Sequence, residues 1–110
     1  MDQSAHRNRI LTEMEELRAL SDGSRDSRAP VELDQQSVGR LSRMDAMQQQ
    51  SMDLAREERR RQRLTILAAA LRRLDDDEYG YCLSCGDDIA TARLEADAAA
   101  TLCVDCQRTR

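Results

Sequence analysis

Every cysteine of this 110-residue chain lies in one of two Cys-x-x-Cys pairs, Cys82-Leu83-Ser84-Cys85 and Cys103-Val104-Asp105-Cys106, with seventeen residues between them. Each pair can chelate through a tight turn with Zn–S near ~2.3 Å, and the intervening stretch lets the second pair complete a tetrahedron. With all four positions supplied by protein, no coordination site stays open for water or substrate. The expected cofactor is therefore one structural Zn²⁺ held by Cys82, Cys85, Cys103 and Cys106. A redox dithiol would need one pair beside a thioredoxin-like strand–helix pattern, which the sequence does not offer. Structural disulfides belong to secreted chains, whereas Met1 to His6 is polar and lacks the apolar core of a signal peptide. An iron–sulfur cluster suits so small a ligand loop less well than zinc does.

The elements that must carry this site are helical. Ile10, Leu11, Met14 and Leu17 recur at helical spacing, with Leu20 extending the stripe, and predict a first helix over about 5–20. His6, the only histidine, reads as a surface residue at its start. Ser21 to Pro30 is polar and ends in the sole proline, so a loop is expected over about 21–33. A long second helix follows over about 34–77, with Asp34 or Ser37 as its cap and Val38, Leu41, Met44, Met47, Leu54, Leu64, Leu67, Leu71 and Leu74 along it. At ~1.5 Å per residue, forty-odd residues make a rod of roughly 60 Å. Its middle, Ala55 to Arg63, has almost no large apolar side chain. This run reads as a solvated face with local ion pairs unless a partner meets it, and its guanidinium groups could bind phosphate or an acidic surface.

Composition sets further bounds. With 35% charged residues, two Tyr and neither Phe nor Trp, the chain has little with which to build a large core, so metal is expected to hold the compact part together. A net charge of −4 disfavours unspecific DNA binding. No apolar run is long enough to span a bilayer, which reads as a soluble, cytoplasmic protein without a membrane partner. All seventeen basic residues are Arg.

The run Tyr79-Gly80-Tyr81-Cys82-Leu83-Ser84-Cys85-Gly86, then Ile89, Arg93-Leu94-Glu95-Ala96 and Thr101-Leu102-Cys103-Val104-Asp105-Cys106-Gln107, resembles the zinc finger of the DksA/TraR family. One departure is Ala98, where the family usually has Pro. The resemblance implies a non-enzymatic bacterial regulator that binds RNA polymerase and enters its secondary channel with a coiled coil. In the family, an Asp-x-x-Asp-x-Ala motif at the coiled-coil tip acts near the catalytic magnesium. That motif is not present in full here, and the nearest candidates are Asp34 and the pair Asp45-Ala46. Basic residues of the second helix contact guanosine tetraphosphate in the family. Arg56 and Arg59 fall in a comparable place, but Ile66 stands where a Lys is expected, which counts against that nucleotide.

The sequence thus reads as a mostly α protein: an antiparallel helical hairpin (coiled coil) over residues 1–78 attached to a small C4 zinc finger of treble-clef type over 79–110. The expected function is transcription regulation through RNA polymerase, as a monomer and without direct DNA binding. The rival readings are a nucleic-acid-binding zinc-finger protein and a dithiol redox protein. Against the first, Asp87, Asp88, Glu95 and Asp97 oppose a single Arg93 between the cysteine pairs, the wrong charge for a phosphate backbone.

Overall fold

The computed structural model describes residues 3–29 and 40–109. Five helices follow one another: α1 (Gln3–Gly23), α2 (Arg25–Arg28), α3 (Arg40–Asp75), α4 (Thr91–Ala96) and α5 (Val104–Arg108). Among the described residues there is no strand, only an isolated antiparallel bridge between Tyr81 and Asp88. The fold is mostly α, a helical hairpin carrying a four-cysteine finger. No helix among the described residues is long and apolar enough to cross a membrane.

The chain forms two compact units, Met1–Glu15 with Leu64–Arg110, and Glu16–Arg63. The first contains every buried apolar residue of the described chain: Ile10 and Met14 from α1, Leu67, Ala70 and Leu74 from α3, and Tyr79, Cys82, Ile89, Leu94, Ala98, Ala99, Ala100 and Leu102 from the finger. The stripes read from the sequence are thus used only in part. Leu11, Leu20, Met44, Met47 and Leu54 are all exposed, because among the described residues no element is packed over them. His6 is a correction of the opposite sign. It is buried, with its ring 5.1 Å from that of Tyr79, because the finger supplies an aromatic cover that a helix taken alone does not reveal.

The second unit, Glu16–Arg63, is held differently: its only buried residue among those described is Glu57. The Glu57 carboxylate accepts the Ser21 hydroxyl at 2.6 Å and pairs with Arg60 at 3.1 Å and Arg28 at 3.3 Å. Arg28 and Arg60 also donate to Ser24 Oγ, at 3.0 and 2.9 Å. With Ser21 facing Glu57 and Ala29 facing Gln50, the two helical segments of this unit run antiparallel. The Arg-rich middle of α3 is therefore not simply a solvated face. Two of its charges, Glu57 and Arg60, are tied with Arg28 into a cluster that substitutes for an apolar seam.

The same cluster explains why helix persists into the expected loop. α1 continues through Asp22 and Gly23, and α2 adds one more turn, fastened where Arg28 donates to the Ser21 carbonyl at 2.6 Å. The remainder of that loop, 30–33, and the start expected for the long helix, 34–39, lie outside the described residues.

α3 ends at Asp75 rather than 77 in a Schellman motif. The Glu78 N–H donates to the Arg73 carbonyl at 2.8 Å, and the Asp77 N–H to the Leu74 carbonyl at 3.3 Å. The motif needs a left-handed residue, and Asp77 supplies it at φ 58°. This reversal carries the chain from Leu74 to Tyr79, both of them buried.

Two outcomes are expected. Glycine takes the left-handed conformation without steric cost, so Asp77→Gly should stabilise the protein by about 1 kcal/mol in urea unfolding. The Ser21 hydrogen bond, together with Arg60 and Arg28 and against the opposing effect of burial, holds the Glu57 pKa below its ordinary value. A depressed carboxylate stabilises the fold above its unfolded pKa of about 4.3, and this contribution is lost as pH falls through the lower folded value. Glu57→Ala should cost about 3 kcal/mol at neutral pH, the low end for breaking a buried pair because both arginines still reach solvent. It should also flatten the acid limb of stability measured by circular dichroism.

Candidate metal centre

Each cysteine pair is presented by a short, well-determined piece of backbone. In the first, the Gly86 N–H returns to the Cys82 carbonyl at 2.9 Å, and the Cys82 N–H reaches the Asp87 carbonyl at 2.8 Å. That turn requires φ 81° at Gly86, where a β-carbon would be strained. In the second, Cys103 immediately precedes α5 in extended conformation and Cys106 sits on the first helical turn. The Gln107 N–H donates to the Cys103 carbonyl at 3.0 Å, which starts the helix.

The four sulfurs converge within 4.8 Å of one another, and none is in a disulfide. Tetrahedral coordination at ~2.3 Å demands sulfur atoms ~3.8 Å apart. Cys85 and Cys103 Sγ are 3.8 Å apart. The donor set thus fits one Zn²⁺ in spacing as well as in ligand chemistry, and the finger has one structural zinc site with no protein-free position.

The electrostatics of the four sulfurs suit a bound cation. Cys82 is pulled down to about 6 by the backbone amides of Cys103, Cys85 and Ser84, against the opposing effect of burial. Cys85 is pushed up to about 12: the Asp87 amide favours its thiolate, but the sulfurs of Cys82, Cys106 and Cys103, with burial, outweigh it. Cys106 is raised chiefly by Cys103 and then Cys82. Four thiolates this close repel one another strongly unless a positive ion lies between them. Zinc supplies that charge when bound, and the chain's part is to aim the sulfurs and shield them.

Around the cysteines, a polar frame fastens the finger to its unit. Tyr79 donates its hydroxyl to the Ala98 carbonyl at 2.6 Å, and Arg93 donates to the Leu102 carbonyl at 2.6 Å. Arg9 of α1 donates to the Leu94 carbonyl at 3.1 Å and to that of Glu95, at the end of α4. Ala98, which departs from the family's Pro, is 4% exposed, and the turn before it is secured by the Asp97 carboxylate accepting from the Ala99 N–H at 3.0 Å. Sequence reasoning missed Arg9, His6, Ser21, Ser24 and Arg28. None stands in a motif, and each becomes informative only once a residue distant in sequence is brought beside it.

The remaining sequence-derived candidates are not brought to the metal centre. Asp45 and Ala46 are exposed on α3, and Asp34 lies outside the described residues. Arg56 pairs with Asp53 at 3.1 Å and borders a cleft of about 380 Å³ that Leu20, Ser24 and Arg60 also line. Arg59 is exposed, and Ile66 is 45% exposed.

Removing zinc with a chelator should unfold residues about 79–107, because the apparent free energy of binding four thiolates, roughly 10–16 kcal/mol, is largely folding free energy. Native mass spectrometry should find one zinc per chain. Reloading the metal-free protein at neutral pH should release protons from Cys85 and Cys106, whose raised pKa values keep them as thiols until metal enters.

Residues 77–110 match the family model of the prokaryotic dksA/traR C4-type zinc finger. Over 57 residues, 52% of this chain, it is 42% identical to the RNA polymerase-binding transcription factor DksA of Haemophilus influenzae and 39% identical to that of Escherichia coli K12. The match spans only 39% and 38% of those two relatives, less than half of their length. The solved structure of transcription factor DksA2 from Pseudomonas aeruginosa superposes with a TM-score of 0.81 at 27% identity, over 97% of this chain and 81% of that one. Residues 77–110 thus form a C4-type zinc finger of the dksA/traR kind, and the fold of the chain is similar to that of DksA2.

Proposed function

We propose that this protein is a non-enzymatic transcription regulator that binds RNA polymerase and inserts its helical hairpin into the secondary channel, with the zinc finger in a structural role. The observation that carries this reading is the similarity in fold, over 97% of the chain, to a transcription factor, alongside 42% identity over 57 residues to an RNA polymerase-binding one. A filled C4 set has no open coordination position with which to act on a substrate.

Charge weighs against the nucleic-acid reading. Asp87, Asp88 and Glu95 are exposed on the finger, whereas Arg93 is committed to the Leu102 carbonyl and Gln107. Against the dithiol reading, all four sulfurs share one spacing suited to a metal rather than forming a separate reactive pair. The exposed Ile66 offers no charge to guanosine tetraphosphate. Arg59 remains the more available contact for polymerase, since Arg56 is already paired with Asp53.

Asp45, exposed on α3 beside Ala46, is the carboxylate proposed to act on the enzyme's magnesium site by charge, as hard cations respond strongly to anions in a confined cleft. Asp34 is the other tip candidate. The test begins with binding of the full chain to RNA polymerase core enzyme, and absence of binding rejects the reading. In transcription from a ribosomal-type promoter, Asp45→Asn should lose most of the regulatory effect while its affinity for polymerase changes less than about threefold. Unchanged transcription with the Asn variant would transfer the role to Asp34.

A further inference from the structure

Within the unit Glu16–Arg63, α1 and α3 meet without a buried apolar residue among those described, and a cleft of about 380 Å³ opens between them. Its α1 side is apolar and unobstructed, made by Ala19, by Leu20 at 58% exposure, and by Gly23. Gly23 is not among the residues in the left-handed region, and a β-carbon built on it would meet no atom within 4 Å. Neither its backbone nor its packing calls for glycine, and the missing side chain leaves the cleft open on that side.

The α3 side is charged. Arg60 is held by both edges of its guanidinium: Nε donates to Glu57 at 3.1 Å and Nη2 to Ser24 Oγ at 2.9 Å. The Ser24 hydroxyl is itself fixed, donating to the Ser21 carbonyl at 3.2 Å and accepting from Arg28 at 3.0 Å. Arg56, one helical turn before Arg60, pairs through Nη1 with Asp53 at 3.1 Å. Its side chain stays 48% exposed, so a second edge of the fork can meet a ligand while Asp53 keeps the first. Two guanidinium groups against the Asp53 carboxylate leave the lining with a single excess positive charge.

We infer that this cleft binds a small monocarboxylate with an apolar body, its carboxylate meeting Arg56 and Arg60 and its body lying on Ala19 and Leu20. A planar carboxylate matches a guanidinium edge with two parallel hydrogen bonds. A multiply charged phosphate matches less well, because it would face Asp53 in the lining and Glu57 bonded to Arg60, and like charges this close repel. A neutral apolar molecule gains nothing from either arginine. Small-molecule pockets run from roughly 300 to 1,000 Å³, so the cleft suits a single-ring or short-chain acid. Such a ligand touches α1 and α3 together and supplies apolar contact that this unit lacks. Binding the folded unit alone, it would stabilise that unit as its concentration rises.

The test titrates benzoate into the full-length, zinc-loaded chain, with binding followed by calorimetry and no polymerase present, so that its outcome is independent of the functional reading above. Benzoate should bind saturably, at least tenfold more tightly than neutral benzamide and at least fivefold more tightly than inorganic phosphate. Arg56→Gln and Leu20→Ser, both at exposed positions, should each weaken benzoate binding at least fivefold, with zinc content and far-ultraviolet circular dichroism unchanged. Absence of saturable binding overturns the inference. So does equal binding of benzamide, which would remove the arginines from recognition, or tighter binding of phosphate, which would make the cleft a plain anion site. Benzoate binding that neither variant weakens would place it elsewhere on the chain and refute the site.

Discussion

Four sulfur atoms within 4.8 Å of one another form the constraint on which the first unit depends. As thiolates they repel, and as thiols they offer too little to hold two chain segments seventeen residues apart. A divalent cation resolves the conflict, and the rest of the finger is built to make that resolution productive. Cys82 belongs to the apolar core as well as to the metal site, so closing the coordination sphere draws Ile89, Leu94 and Leu102 into the cover over α1 and α3. Arg9 and Tyr79 then fasten the finger's own carbonyls. Metal ligation and hydrophobic burial here act as one event, as is usual where a chain is too poor in large side chains to close a core unaided.

The second unit solves the same problem by another route. Leu20, Met44, Met47 and Leu54 remain exposed, and its helical segments are joined where Glu57 meets Ser21, Arg28 and Arg60. Such a cluster contributes less to stability than apolar packing of equal volume, because desolvation offsets much of the attraction. It does specify register, since only one alignment of the two segments brings Ser21 opposite Glu57. That leaves the apolar side chains of α3 available for contact with something other than the chain itself.

What was legible in the sequence follows from how local each signal is. The zinc ligands are declared by spacing alone, and the long helix by an uninterrupted periodic run. Helix ends were misjudged where a distant partner decides them: α1 passes through Gly23 because Arg28 and Ser24 secure the next turn, and a polar, glycine-containing stretch gives no hint of that. His6 was misread because its cover, Tyr79, comes from the other end of the chain. Glu57 looked like one more carboxylate in a charged run, since nothing in local patterning separates a buried ion pair from a solvated one.

The near absence of buried apolar surface in the Glu16–Arg63 unit has a calorimetric consequence. Heat-capacity change on unfolding scales with apolar area exposed, so this unit should melt with a small one and a shallow stability curve. Its ion pairs also persist on heating, because the penalty for desolvating charge falls as temperature rises. The two units therefore answer to different variables: one to free zinc and to the hydrophobic effect, the other to the protonation of Glu57 at low pH.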